Sequence, residues 1–169
     1  MWRWLPLFAL LAGCTASTVP VVPPLVVEPS MRAPVDFSYD SLDERPVSSQ
    51  AARGRPAVLV FLQVGSIASQ AQVNFLVAMA RNDGDRLAYY AVALEPREHR
   101  ELVELYARTL HIPFPVALAD AATLRGTGVF GPLETMPAVI VLDRTGRVSW
   151  RSDGGVVPST ELRARLRGL

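Results

Sequence analysis

No lysine occurs among the 169 residues, and cysteine appears once, at Cys14. A single thiol cannot close an internal disulfide. With only His99 and His111 for company, it cannot build a zinc site at ligand spacing either. All seventeen basic residues are arginines, set against sixteen acids for a net charge of +1. Setting aside Arg3 near the start leaves the rest of the chain neutral, with no basic stripe and no acidic run. Nucleic acid and an anionic membrane surface are therefore not expected as electrostatic partners. No metal and no cofactor is expected.

Charge is also missing from the central stretch, Ala57 to Ala80, twenty-four residues without an ionisable side chain. Gln63, Ser66, Ser69, Gln70, Gln72 and Asn74 interrupt it and Gly65 would fall inside a continuous helix, which argues against a membrane span. The stretch divides in two. Ala57 to Gln63 is a short β-branched and aromatic run, the pattern of a strand buried on both faces. From Ser66 onward the composition is helical: Ala71, Phe75, Ala78 and Met79 recur at helical spacing, Leu76 and Val77 widen that face, and Gly84 ends it. A strand turning through Gly65 into a helix puts Ser66 at the helix N-terminus, beside free backbone N–H groups.

Around this unit the elements alternate. Val35 to Tyr39 and Pro46 to Ser48 read as a short hairpin, Leu87 to Leu94 as a second buried strand, and Phe114 to Leu118 as another apolar segment. Pro96 suits the first turn of a helix carrying Leu102, Tyr106 and Leu110 on one face with Val103 beside them, and Glu104 can pair with Arg108. Ala121 to Arg125 is long enough for one helical turn. Ala138 to Leu142 and Val148 to Arg151 flank the turn Asp143 to Gly146 as a hairpin, and Ser159 is placed to cap a last helix. The order implies an α/β sandwich on a mixed sheet. Asp83-Gly84-Asp85 reads as a turn rather than a metal site.

The first thirteen residues, MWRWLPLFALLAG, join one arginine to a compact apolar run too short to span a bilayer, and so read as a secretory leader. Leu11-Ala12-Gly13-Cys14 resembles the bacterial lipobox, which implies cleavage before Cys14 and lipid attachment to its sulfur. Several acyl chains, at about 0.8 kcal/mol per buried methylene, give stable anchoring. Thr15 in place of aspartate implies, by the same resemblance, the periplasmic face of the outer membrane. Residues 14–34 carry Pro20, Pro23, Pro24, Pro29 and Pro34, and make either an extended spacer or a tail of no set length. The globular domain is expected to cover 35–169.

Three segments in this order, Ala33 to Val47, Arg53 to Phe61 and Thr135 to Asp143 with Gly146, resemble the thioredoxin superfamily in its TlpA-like and peroxiredoxin-like (redoxin) branch. The resemblance implies a three-layer α/β sandwich, a central mixed sheet flanked by helices, with an N-terminal β-hairpin extension. It also implies that Ser66 and Ser69 stand where the family carries Cys-x-x-Cys, and that Gly65 stands where it often carries tryptophan. Pro137 matches the family's cis-proline, and Met136 would lie beside Ser66, either as a binding surface or as a buried core residue. Ser69, and Ser66 if it does nothing else, would cap the helix.

Thiol-disulfide exchange needs a thiolate attacking sulfur, which a serine hydroxyl cannot replace. Ser66 as a hydrolytic nucleophile lacks the second glycine of a nucleophile elbow and an evident base, since neither His99 nor His111 is aimed at the turn. The expectation is a lipid-anchored, redox-inactive envelope domain that binds a protein or peptide partner and is not itself an enzyme. Two alternatives stay open: an enzyme using a partner's thiol or the Ser66 pocket, and a purely structural envelope subunit.

Overall fold

The computed structural model describes residues 33–169. The leader at 1–13, Cys14 and most of the proline-rich tether lie outside the described residues. Seven strands form one mixed sheet in the order β2-β1-β5-β4-β3-β6-β7. They are β1 (Ser38–Ser41), β2 (Val47–Ser48), β3 (Ala57–Leu62), β4 (Ala88–Ala93), β5 (Val116–Leu118), β6 (Ala138–Leu142) and β7 (Val148–Asp153). The helices are α1 (Ser49–Ala52), α2 (Ile67–Asp83), α3 (Arg100–Thr109), α4 (Ala121–Leu124) and α5 (Ser159–Leu166).

β3 lies parallel to β4 and antiparallel to β6, so it is hydrogen-bonded on both edges. All six of its residues are buried, because helices cover one face and other chain covers the second. At about 1.5–3 kcal/mol for each fully buried large apolar side chain, this strand and β4 beside it anchor the core. Val58, Val60 and Leu62 point to the helical side, with Val73, Leu76, Val103 and Leu162 of α2, α3 and α5. Leu59 and Phe61 point to the other side, which is closed by Phe37, Tyr39, α1 and Phe130 of the long connection before β6. That second layer has less regular structure than the first. Arg151 holds it in place: its Nη1 donates to the Phe130 carbonyl, its Nη2 to the Pro132 carbonyl at 2.6 Å, and its Nε to Asp153 at 2.8 Å.

The α/β fold expected from the sequence is the one observed. Several local expectations are corrected. In α2 the buried side is Ser69, Gln72, Val73, Leu76, Val77 and Met79, whereas Phe75 and Ala78 face outward. The buried set falls at helical spacing one step away from the expected one, and on that side Gln72 bonds the Val157 backbone in both directions. α3 begins only at Arg100, after a 3-10 turn at Arg97–His99, and Leu102 is exposed while Val103 is its one buried residue. Ser159 is the first residue of α5 and makes no side-chain cap. The Asp83 carboxylate is taken by the Tyr89 hydroxyl at 2.5 Å and by Arg163 at 3.0 Å, tying α2 to β4 and α5. Among the described residues no helix is long and apolar enough to cross a membrane.

Candidate functional site

Where β3 ends, the chain makes a tight turn, with the Ser66 N–H donating to the Gln63 carbonyl at 3.1 Å, and enters α2. Ser66 is extended at the N-cap position, and its Oγ accepts the Ser69 N–H at 3.2 Å, satisfying one of the helix's free donors. Ser69 does something different from the capping expected of it. It is fully buried, and its Oγ accepts the Gln63 N–H at 3.3 Å, binding the first turn of the helix back to the strand end. Both hydroxyl oxygens thus hold backbone amides within one turn. Between them Ile67 stands 85% exposed. At Gly65 a Cβ would meet nothing within 4 Å, so the turn has an open flank.

The antiparallel register pairs Phe61 with Ala138. Pro137 and Met136 precede that pair, at the end of the sheet where β3 runs into the Ser66 turn. The Met136–Pro137 peptide is cis. Pro137 is buried and Met136 half-buried, packed against the Phe37 and Phe130 side of the core. Gly154 secures this loop from β7: its N–H is shared between the carbonyls of Thr135 at 3.2 Å and Pro137 at 3.0 Å. It has φ +73°, and a Cβ there would stand 2.5 Å from the Thr135 Cγ2, so both conformation and space call for glycine.

A third group at this end escaped the sequence reading. Glu95, just past β4, accepts the Val64 N–H on one carboxylate oxygen at 3.1 Å and faces His99 Nδ1 at 3.2 Å with the other. Glu95-Pro96 looked like a helix start, and nothing in the local pattern tells a helix-opening glutamate from one that reaches across to a neighbouring strand's turn. His99 precedes α3 and is linked through Glu95 to the turn, which places it nearer the site than its position among charged residues suggests. Among the described residues no three histidine, cysteine or acidic side chains gather as metal ligands.

Chemically, the end of the sheet offers two serine hydroxyls engaged with amides, a carboxylate and imidazole pair, and apolar surface from Ile67 and Met136. Among the described residues its one sulfur is the Met136 thioether. Cys14, the proposed lipid attachment point, lies outside the described residues.

No family model matches the chain, and no curated protein does. Solved structures share its fold. A thioredoxin-family thiol:disulfide interchange protein from Chlorobium tepidum superposes with a TM-score of 0.67 at 20% identity, over 88% of this chain and 97% of its own. A DsbF homologue from Corynebacterium diphtheriae gives 0.69 at 17%, over 86% and 92%. The exposed lipoprotein thioredoxin of Streptococcus pneumoniae gives 0.66 at 16%, over 80% and 100%. The fold is therefore thioredoxin-like.

Proposed function

We propose that this chain is a membrane-anchored, redox-inactive thioredoxin-like protein that holds a protein or peptide partner in the bacterial envelope. The observation that carries the reading is the state of the turn. Ser66 and Ser69 both spend their oxygens on backbone amides, so the turn is kept rigid by groups that cannot exchange electrons, while Ile67 remains exposed beside it. Disulfide exchange proceeds through a mixed disulfide, and no sulfur stands here to form one. Apolar anchors on a rigid turn are what recognition of an extended segment uses. The lipobox-like Leu11 to Cys14 and the likeness to an exposed lipoprotein support an envelope location with Cys14 lipidated.

The test is crosslinking of the anchored full chain in its native membranes. Ile67→Asp is expected to lose the captured partner while the wild-type melting profile is kept, because the Ile67 side chain is 85% exposed. Turnover of a protein disulfide by the purified full chain with a small-molecule reductant would refute redox inactivity. Mass measurement of the mature chain reads acylation at Cys14 directly.

A further inference from the structure

The opposite end of the sheet, where β4 and β5 begin, carries a cleft of about 500 Å³ lined by Arg45, Arg55, Asp85, Leu87, Tyr90 and Phe114 among others. Its size falls in the range of small-molecule sites, roughly 300 to 1,000 Å³, and it is an open cleft lined by both polar and apolar surface. It lies away from the Ser66 turn and plays no part in holding that turn together.

The two arginines differ in what they have left to offer. Arg45 is committed. Its Nε and Nη2 bind the Asp43 carboxylate at 3.0 and 2.7 Å, and its Nη1 donates to the Pro113 carbonyl at 2.7 Å. Those bonds to Arg45 hold the Asp43 carboxyl below its ordinary range. Arg55 has no carboxylate within ion-pair distance among the described residues, and its Nη1 makes a long contact of 3.4 Å with the Asp85 carbonyl. Its guanidinium lies against the hydroxyl of Tyr90, a residue 3% exposed whose ionisation is pushed up by burial and opposed by Arg55.

A guanidinium with no counterion among the described residues presents a planar donor fork that matches a carboxylate. The Asp85 side chain on the rim adds one negative charge, which disfavours a dianion such as a phosphate monoester. We propose that this cleft binds a small organic monocarboxylate with an apolar or aryl body, its carboxylate on Arg55 and the Tyr90 hydroxyl and its body against Leu87 and Phe114. The inference is independent of the partner-binding reading, since it concerns the other end of the sheet.

Hydrocinnamate titrated into the purified full chain, followed by backbone amide NMR shifts, tests it. Saturable one-site shifts at Gly84 and Leu87 are expected, with no saturation by the neutral hydrocinnamamide and weaker binding of phenyl phosphate. Arg55→Gln should weaken binding about tenfold or more, the scale of a lost charge-assisted hydrogen bond. Ala51→Phe, which adds bulk to the cleft from α1, should weaken it too, and unchanged melting identifies both variants as folded. Absence of saturation with wild type, equal binding of the amide, tighter binding of phenyl phosphate, or an Arg55→Gln variant in a wild-type fold that binds as well as wild type would each overturn the proposal.

Discussion

Gln72 on α2 and Val157, just before α5, exchange two hydrogen bonds: the Val157 N–H donates to Gln72 Oε1 at 2.6 Å, and Gln72 Nε2 donates to the Val157 carbonyl at 3.4 Å. Both residues are buried, so neither backbone group has water to turn to. Gln72→Leu keeps the volume and strands both Val157 groups, and should cost about 1–3 kcal/mol by urea unfolding. A variant as stable as wild type would show that the pair contributes nothing net.

Arg151 is almost fully buried and combines an ion pair to Asp153 at 2.8 Å with two carbonyl contacts in the connection before β6. Removing one member of a buried pair leaves the other charge uncompensated. Arg151→Met is therefore expected to lose about 3 kcal/mol or more, and Arg151→Lys a large part of that, because the fork and its simultaneous reach to Phe130 and Pro132 go with the guanidinium. Limited proteolysis should cut between residues 125 and 137 in the variants before it cuts the wild type.

Alkaline pH should unfold the protein through its tyrosines. All four are shifted upward by burial: Tyr39 and Tyr106 to about 12, Tyr89 further with Asp83 adding to it, and Tyr90 in the same direction against the opposing Arg55. In the unfolded chain they ionise near pH 10. Between about 10 and 12 the unfolded state releases protons that the folded state keeps, so stability is fully present below pH 10 and falls as pH rises. Phenolate absorbance should stay silent at pH 10 and then rise together with loss of the circular dichroism signal. Ionisation of a tyrosine at its ordinary pH in a folded chain would contradict this.

Ser66→Cys combined with Ser69→Cys should restore chemistry if only the sulfurs are missing. A thiol at the Ser66 N-cap would sit at the positive end of α2, with its pKa drawn below the free value of about 8.5. Gain of disulfide reductase activity by the double variant, absent in either single one, is the expected outcome. A folded double variant that forms no internal disulfide would mean that the turn itself has drifted from redox geometry.

Gly154→Ala would place a Cβ 2.5 Å from the Thr135 Cγ2 at a φ of +73°. A loss of about 1–3 kcal/mol is expected. Because Gly154 holds the Thr135 and Pro137 carbonyls, amide shifts should spread to Met136 and toward Ser66. Shifts confined to β7 would show that the proline loop is held by other contacts.

Much of the architecture was legible because β3, β4 and β6 are uninterrupted apolar runs, and a strand buried on both faces leaves few other readings. The helix start at Ser66 was legible for a similar reason, since a glycine turn followed by serine fixes the position of the cap. The face of α2 was not, because apolar residues lie on more than one side of it and the partner of the buried Gln72 is a backbone 85 residues away, which no window of local sequence contains. Glu95 was missed for the same cause: its partners, Val64 and His99, lie on two different elements. Ser69 looked like a cap and proved to be a strap to the strand, a distinction that depends only on which amide lies nearer its oxygen.

The unequal layers of the sheet lead to a difference in how its two sides open. Three helices with their own internal ladders back one face, whereas the short α1, α4 and the irregular connection before β6 back the other, with Arg151 bonded to that connection. Amide exchange should therefore be graded across the thickness of the protein, fastest in the connection that ends at Met136. A partner seated on Met136 would damp that fluctuation, so occupancy at one end of the sheet would be felt as slower breathing along its whole less regular side.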